Sequence, residues 1–193
     1  MTNSETCMRE MRRIVELFSN SEDFDEQWIL FKAFLNTLHS LSDNDKTAKN
    51  TFLNDKITNF SLVLRNILHH QPKKWHYGKY AVLPPKLTIS MDETGLSKTV
   101  ELPPLPLVIL RNTLEDPEVI TSLKKGPGAG ANQIAVLAEF TASMKDYIQV
   151  SVLINHIYNV AENYCRESGK YHVHFDSPPT GHLLTHHSIR SLG

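Results

Sequence analysis

Arg65, Asn66, His69 and His70 fall within six consecutive residues and carry between them the groups needed to move a proton beside a phosphate. Imidazole has the ordinary pKa nearest neutrality, so a histidine here can take a proton from a ribose 2′-hydroxyl or return one. A guanidinium offers a permanently charged planar fork for the oxygens of a phosphorane. The Asn66 carboxamide can orient a histidine or bind a phosphate oxygen. On an ideal helix Asn66 and His70 are four apart and share a face, with Arg65 one step around it, while His69 lies on the arginine's own face. The same residues suit a structural role, because cations near a helix end meet its last carbonyls and the negative end of its dipole. Spacing alone leaves both readings open.

The string Leu64-Arg65-Asn66-Ile67-Leu68-His69-His70 resembles the signature of the HEPN family: an arginine, a polar residue and, a few positions on, a histidine, placed late on a long helix. The resemblance covers about residues 4–175 in architecture and these seven residues in detail. It implies a mainly α fold, a HEPN-like antiparallel helical bundle, here with a small β insertion after the third helix. It further implies an endoribonuclease that needs no metal or other cofactor. Two motifs from paired subunits would meet across a homodimer cleft and leave a 2′,3′-cyclic phosphate, in a setting such as a toxin–antitoxin pair or antiviral defence, with an antitoxin or regulatory protein as a further partner. Carried over residue by residue, the resemblance assigns transition-state charge to Arg65, support to Asn66 and proton transfer to His70, with His69 secondary. Two rivals are a catalytically silent HEPN-like module that binds RNA, nucleotide or protein through the same groove, and a helical interaction protein in which the motif is coincidental.

The elements that position these residues follow from apolar periodicity. Met8, Met11, Val15 and Phe18 predict a first helix over about 4–18 with Ser4 as its cap, and Trp28, Phe31, Phe34, Leu35 and Leu38 a second over about 23–41. Ser42 to Asp45 reads as a turn. Leu53, Ile57, Phe60, Leu64, Ile67 and Leu68 then form one stripe, predicting a single third helix from about Asp45 to Gln71-Pro72, where proline and the residue before it oppose helical geometry. Short strands are expected at 75–83, 86–91 and 99–102, giving a β excursion over about 75–104; Leu105 to Leu110 reads as strand or helix start, and 116–125 as a short helix. After the breaker Gly126-Pro127-Gly128-Ala129-Gly130, one long helix over about 132–168 is expected, stepping through Leu137, Phe140, Met144, Tyr147, Ser151, Ile154, Tyr158, Ala161 and Cys165. Ile148, Val152 and Ile157 widen its apolar face, either for the core or for a second subunit. The domain is expected over 1–176, with 177–193 a flexible His-rich tail.

Composition narrows the function classes. The 193 residues suit one domain, and no apolar run is long enough to span a bilayer. Lacking a visible secretory signal at Met1, the chain is expected in the cytoplasm. Cys7 and Cys165 are too few for a disulfide framework and read as inert packing residues. A net charge of −1 opposes coating of nucleic acid by the whole surface, yet no acid lies between Asp55 and Asp92, where six cations and three histidines occur. Lys73, Lys74, His76 and Lys79 in that stretch are the expected RNA-binding residues, and Trp75, Tyr77 and Tyr80 suit either base stacking or strand packing. His172, His174, Asp176, His182, His186 and His187 make a poorly defined ligand set, so no metal site is expected. The glycine loop lacks the following Lys and Ser or Thr of a phosphate-binding P-loop, and no Gly-x-Ser-x-Gly elbow occurs.

Overall fold

The computed structural model describes residues 3–70, 106–124 and 130–169. It is mainly helical: α1 (Asn3–Asn20), α2 (Phe24–Asn44), α3 (Lys46–Asn54), α4 (Lys56–His70), β1 (Val108–Leu110), α5 (Arg111–Leu114), α6 (Pro117–Lys124), α7 (Gly130–Ser143), β2 (Tyr147–Gln149) and α8 (Val150–Glu167). The expected strands at 75–104 and the His-rich tail lie outside the described residues. No helix among the described residues is long and apolar enough to cross a membrane.

α1 and α2 form a helical hairpin whose connection is tied locally. Asp23 caps α2 by accepting from the Glu26 N–H at 2.8 Å, and the Ser21 hydroxyl donates to Glu26 Oε2 at 2.6 Å. Ser4 is not the cap expected for α1, because the helix already includes Asn3 and Ser4 is buried within it. Nor do Ser42 to Asp45 all form a turn. Helix α2 runs to Asn44 with Ser42 buried, and the chain breaks only at Asp45. The Asp45 carboxylate then caps α3 through the Thr47 and Ala48 N–H groups and accepts the Tyr164 hydroxyl of α8 at 2.7 Å.

The single third helix expected from the apolar stripe is two helices. Asp55 takes an extended conformation, and its carboxylate accepts from the Thr58 N–H at 2.8 Å and the Thr58 hydroxyl at 2.7 Å, which starts α4 afresh. The break resets the helical phase. Leu53, assigned to the core stripe, is 43% exposed, whereas Phe60, Leu64, Ile67 and Leu68 beyond the break are buried. Burial works against ionisation of Asp55, but the two Thr58 hydrogen bonds and then His156 outweigh it and hold the carboxyl below the ordinary aspartate range. His156 of α8 donates from Nε2 to both Asp55 oxygens, at 3.0 and 3.1 Å. Because the folded pKa is depressed, this contribution is fully present above the unfolded value and is lost as the pH falls through the folded one. Asp55→Ala is expected to cost about 1–2 kcal/mol in urea denaturation near neutral pH. The difference from the unsubstituted chain should shrink as the pH drops below the usual carboxylate range.

The long helix expected over 132–168 is also interrupted. Tyr147, Ile148 and Gln149 are a strand, antiparallel to β1 in the register Leu110 with Tyr147, Ile109 with Ile148 and Val108 with Gln149. The ladder is continued by Arg111 N–H to the Asp146 carbonyl and Val150 N–H to the Leu107 carbonyl, both 2.9 Å. The interruption falls where the helical stripe is weakest: Tyr147 and Ser151 are only half-buried, while Leu137, Phe140, Met144, Ile154, Tyr158, Ala161 and Cys165 are all in the core. Of the residues thought to widen its face, Ile157 is buried and Val152 is 38% exposed. For Leu105 to Leu110, where strand and helix were both open, the structure gives strand over Val108–Leu110.

Helices α4 and α8 are the centre of the assembly. α4 packs on α2, α3, α6, α7 and α8, and α8 on α1, α2, α3 and α4. Cys7 and Cys165 are buried packing residues, with burial first and Glu10 second raising the Cys7 thiol against the opposing effect of its own backbone hydrogen bond.

Candidate functional site

Leu64, Ile67 and Leu68 fix the rotation of α4, since all three are buried and lie on one side of the helix. Arg65 and Asn66 are consequently turned outward to half-exposed positions, and His69 to an exposed one. These residues and His70 form the last described turns of α4. The side chain of His70 lies outside the described atoms, as do Lys73, Lys74, His76 and Lys79, together with Trp75, Tyr77, Tyr80 and the histidines from His172 onward.

Arg65 is held from two directions. Its Nε donates to the Asn36 Oδ1 of α2 at 3.2 Å, and its Nη1 to the Asn66 Oδ1 beside it at 3.3 Å. Among the described residues both hydrogen-bond partners are therefore neutral carboxamides. They orient the fork without cancelling its charge, in contrast to Lys56 at the start of α4, whose ammonium is 2.8 Å from the Glu139 carboxylate. Lys56 and Arg65 are nine residues apart, roughly 13 Å along the helix, so Lys56 belongs to a different surface. Asn66 was expected to orient a histidine or bind phosphate. Its oxygen instead braces the guanidinium, which leaves the amide N–H groups as the donors it can offer to an anion.

The structure adds three residues from α2 that the sequence reading did not single out. Asn36, His39 and Asp43 recur at three- and four-residue spacing on one side of that helix. Asn36 touches Arg65, and Asp43 Oδ2 is 2.9 Å from His39 Nδ1. Burial lowers the His39 pKa first, Arg65 next; Asp43 opposes them, and Lys49 and His69 lower it further. The available signal was the polar edge at 36, 39 and 43 beside an apolar face, but nothing local says which helix that edge meets.

The result is a guanidinium oriented by two carboxamides, with the His39–Asp43 pair on the adjoining edge of α2, a set of groups that can hold a phosphate oxygen and exchange a proton. Among the described residues, no group of three or more His, Cys, Asp or Glu side chains is placed to hold a metal ion. Comparison of the chain with models of protein families, with curated proteins and with solved structures found no match.

Proposed function

We propose that the chain is an endoribonuclease of the HEPN type, acting without a metal as a homodimer in which the Arg65 surfaces of two subunits form one site. The observation that carries this reading is the seating of Arg65. Among the described residues the half-exposed guanidinium is oriented by the Asn36 and Asn66 carboxamide oxygens and by no carboxylate, which leaves its charge available to a phosphate. A merely structural arginine at this place would more economically pair with a carboxylate or cap the last carbonyls of its own helix. Arg65 then neutralises the charge developing on the phosphorane oxygens, Asn66 braces it, and His70 transfers a proton. His69 is a secondary contributor to the same surface. Lys73, Lys74, His76 and Lys79, outside the described residues, are the RNA-binding residues of this proposal, and an antitoxin or regulatory protein is the partner that would restrain such an activity in a defence system.

The test is incubation of the full chain with mixed RNA in excess EDTA. Cleavage yielding 2′,3′-cyclic phosphate ends, and lost in both Arg65→Ala and His70→Ala, is the expected result. Intact RNA with the unsubstituted chain, or cleavage unchanged in either variant, would sink the catalytic assignment. Tight RNA binding without cleavage would favour the silent binding module.

A further inference from the structure

His39 is not part of the seven-residue string, yet the fold delivers it to the same place. Asn36 and His39 are three residues apart on one side of α2, roughly 5–6 Å between Cβ atoms at that spacing, and Asn36 already touches Arg65 at 3.2 Å. Arg65 and His69 are both near enough to act electrostatically on the His39 ring. One helical turn further along α2, Asp43 Oδ2 lies 2.9 Å from His39 Nδ1. An ionised carboxylate can only accept, so Nδ1 carries the proton and Nε2 keeps its lone pair. A carboxylate that fixes the tautomer and leaves the other nitrogen basic is what a general-base histidine needs.

We propose that His39 is the general base of the Arg65 site, taking the proton from a ribose 2′-hydroxyl, with Asp43 as its positioning residue. This rests on the ribonuclease reading given above. His39 Nε2 accepts the 2′-hydroxyl proton as O2′ forms its bond to phosphorus. The bond from phosphorus to O5′ breaks, and the departing O5′ takes the proton that the ribonuclease reading assigns to His70. The products are a 2′,3′-cyclic phosphate and a 5′-hydroxyl, and proton exchange with water returns both histidines to their starting states. The titratable and charged groups acting on His39 are Asp43 on its own helix, Arg65 and His69 on α4 and Lys49 on α3. Burial first and Arg65 next lower the His39 pKa against the opposing effect of Asp43, which favours the neutral ring that a base requires.

The experiment measures single-turnover cleavage of an RNA oligonucleotide by the full chain in excess EDTA, and binding of the all-2′-deoxy version of that oligonucleotide, which lacks the nucleophile. His39→Ala is expected to slow cleavage about 10²–10⁴-fold with a far smaller change in the Kd of the deoxy oligonucleotide, and added imidazole should restore part of the rate. Asp43→Asn should also slow cleavage, and should move the acid limb of the rate profile to lower pH, because the Asp43 charge raises the His39 pKa. His39→Gln supplies the reading if circular dichroism shows that the alanine variant is unfolded. Asp43 is 56% exposed, so its variant supplies an independent one. Full activity in the His39 variants alongside an inactive Arg65→Ala overturns the base assignment and leaves the ribonuclease reading standing. An inactive unsubstituted chain overturns both.

Discussion

On the proposed ribonuclease function, Arg65→Ala is expected to lower the rate of RNA cleavage about 10²–10³-fold, the usual cost of removing one preorganised donor to a developing oxyanion. The size follows from how the side chain is seated. Asn36 and Asn66 hold the guanidinium through their carboxamide oxygens at 3.2 and 3.3 Å, so a phosphate would meet the fork already oriented. Arg65→Lys should recover only part of the loss, because an ammonium keeps the charge but not the planar geometry that two carboxamides position. The same substitutions should change folding stability by less than about 1 kcal/mol, the scale of a neutral hydrogen bond near solvent. A rate collapse without a shift in the denaturation midpoint separates a role in the site from a role in the fold. Equal losses in rate and stability would refute the assignment.

Phe60→Ala is expected to cost about 3–5 kcal/mol, the largest effect on stability from any single substitution considered. Phe60 is fully buried and its ring stacks on that of Phe140 with centroids 3.7 Å apart and planes within 3°. This contact joins α4 to α7. Truncation removes the stack and the buried volume of the ring, and the cost follows how little of that space the neighbours refill. A loss of that size is a large fraction of the roughly 5–15 kcal/mol that holds a typical domain folded. Urea denaturation followed by circular dichroism would measure it. Phe60→Leu, which refills much of the volume, should lose distinctly less; equal costs for the two variants would show that the stack contributes little. Cleavage should fall with the folded fraction in Phe60→Ala, unlike the pure rate effect expected at Arg65.

What was readable in the chain was mostly local. The apolar periodicity established that helices occur over most of the described chain and which faces they bury. It also set the phase of α4, so that Leu64, Ile67 and Leu68 point inward and Arg65, Asn66 and His69 outward. Two competing interactions divide the expected helices, one local and one distant. At Asp55 a carboxylate capping Thr58 divides one expected helix into two and turns Leu53 toward solvent. At Tyr147 to Gln149 pairing with a distant segment replaces a helical turn, which periodicity cannot foresee because the partner strand begins 39 residues earlier, at Val108.

The candidate site divides along the same line. The sequence by itself placed Arg65 and its neighbours on the outer face of one helix, because side-chain phase along a helix is fixed by residues three and four apart. Only the tertiary structure decided what stands opposite them. Packing of α2 against α4 brings Asn36 to a guanidinium 29 positions away and His39 with it. That meeting depends on how two apolar faces settle against each other and against α8, a property of the whole core and of no local string.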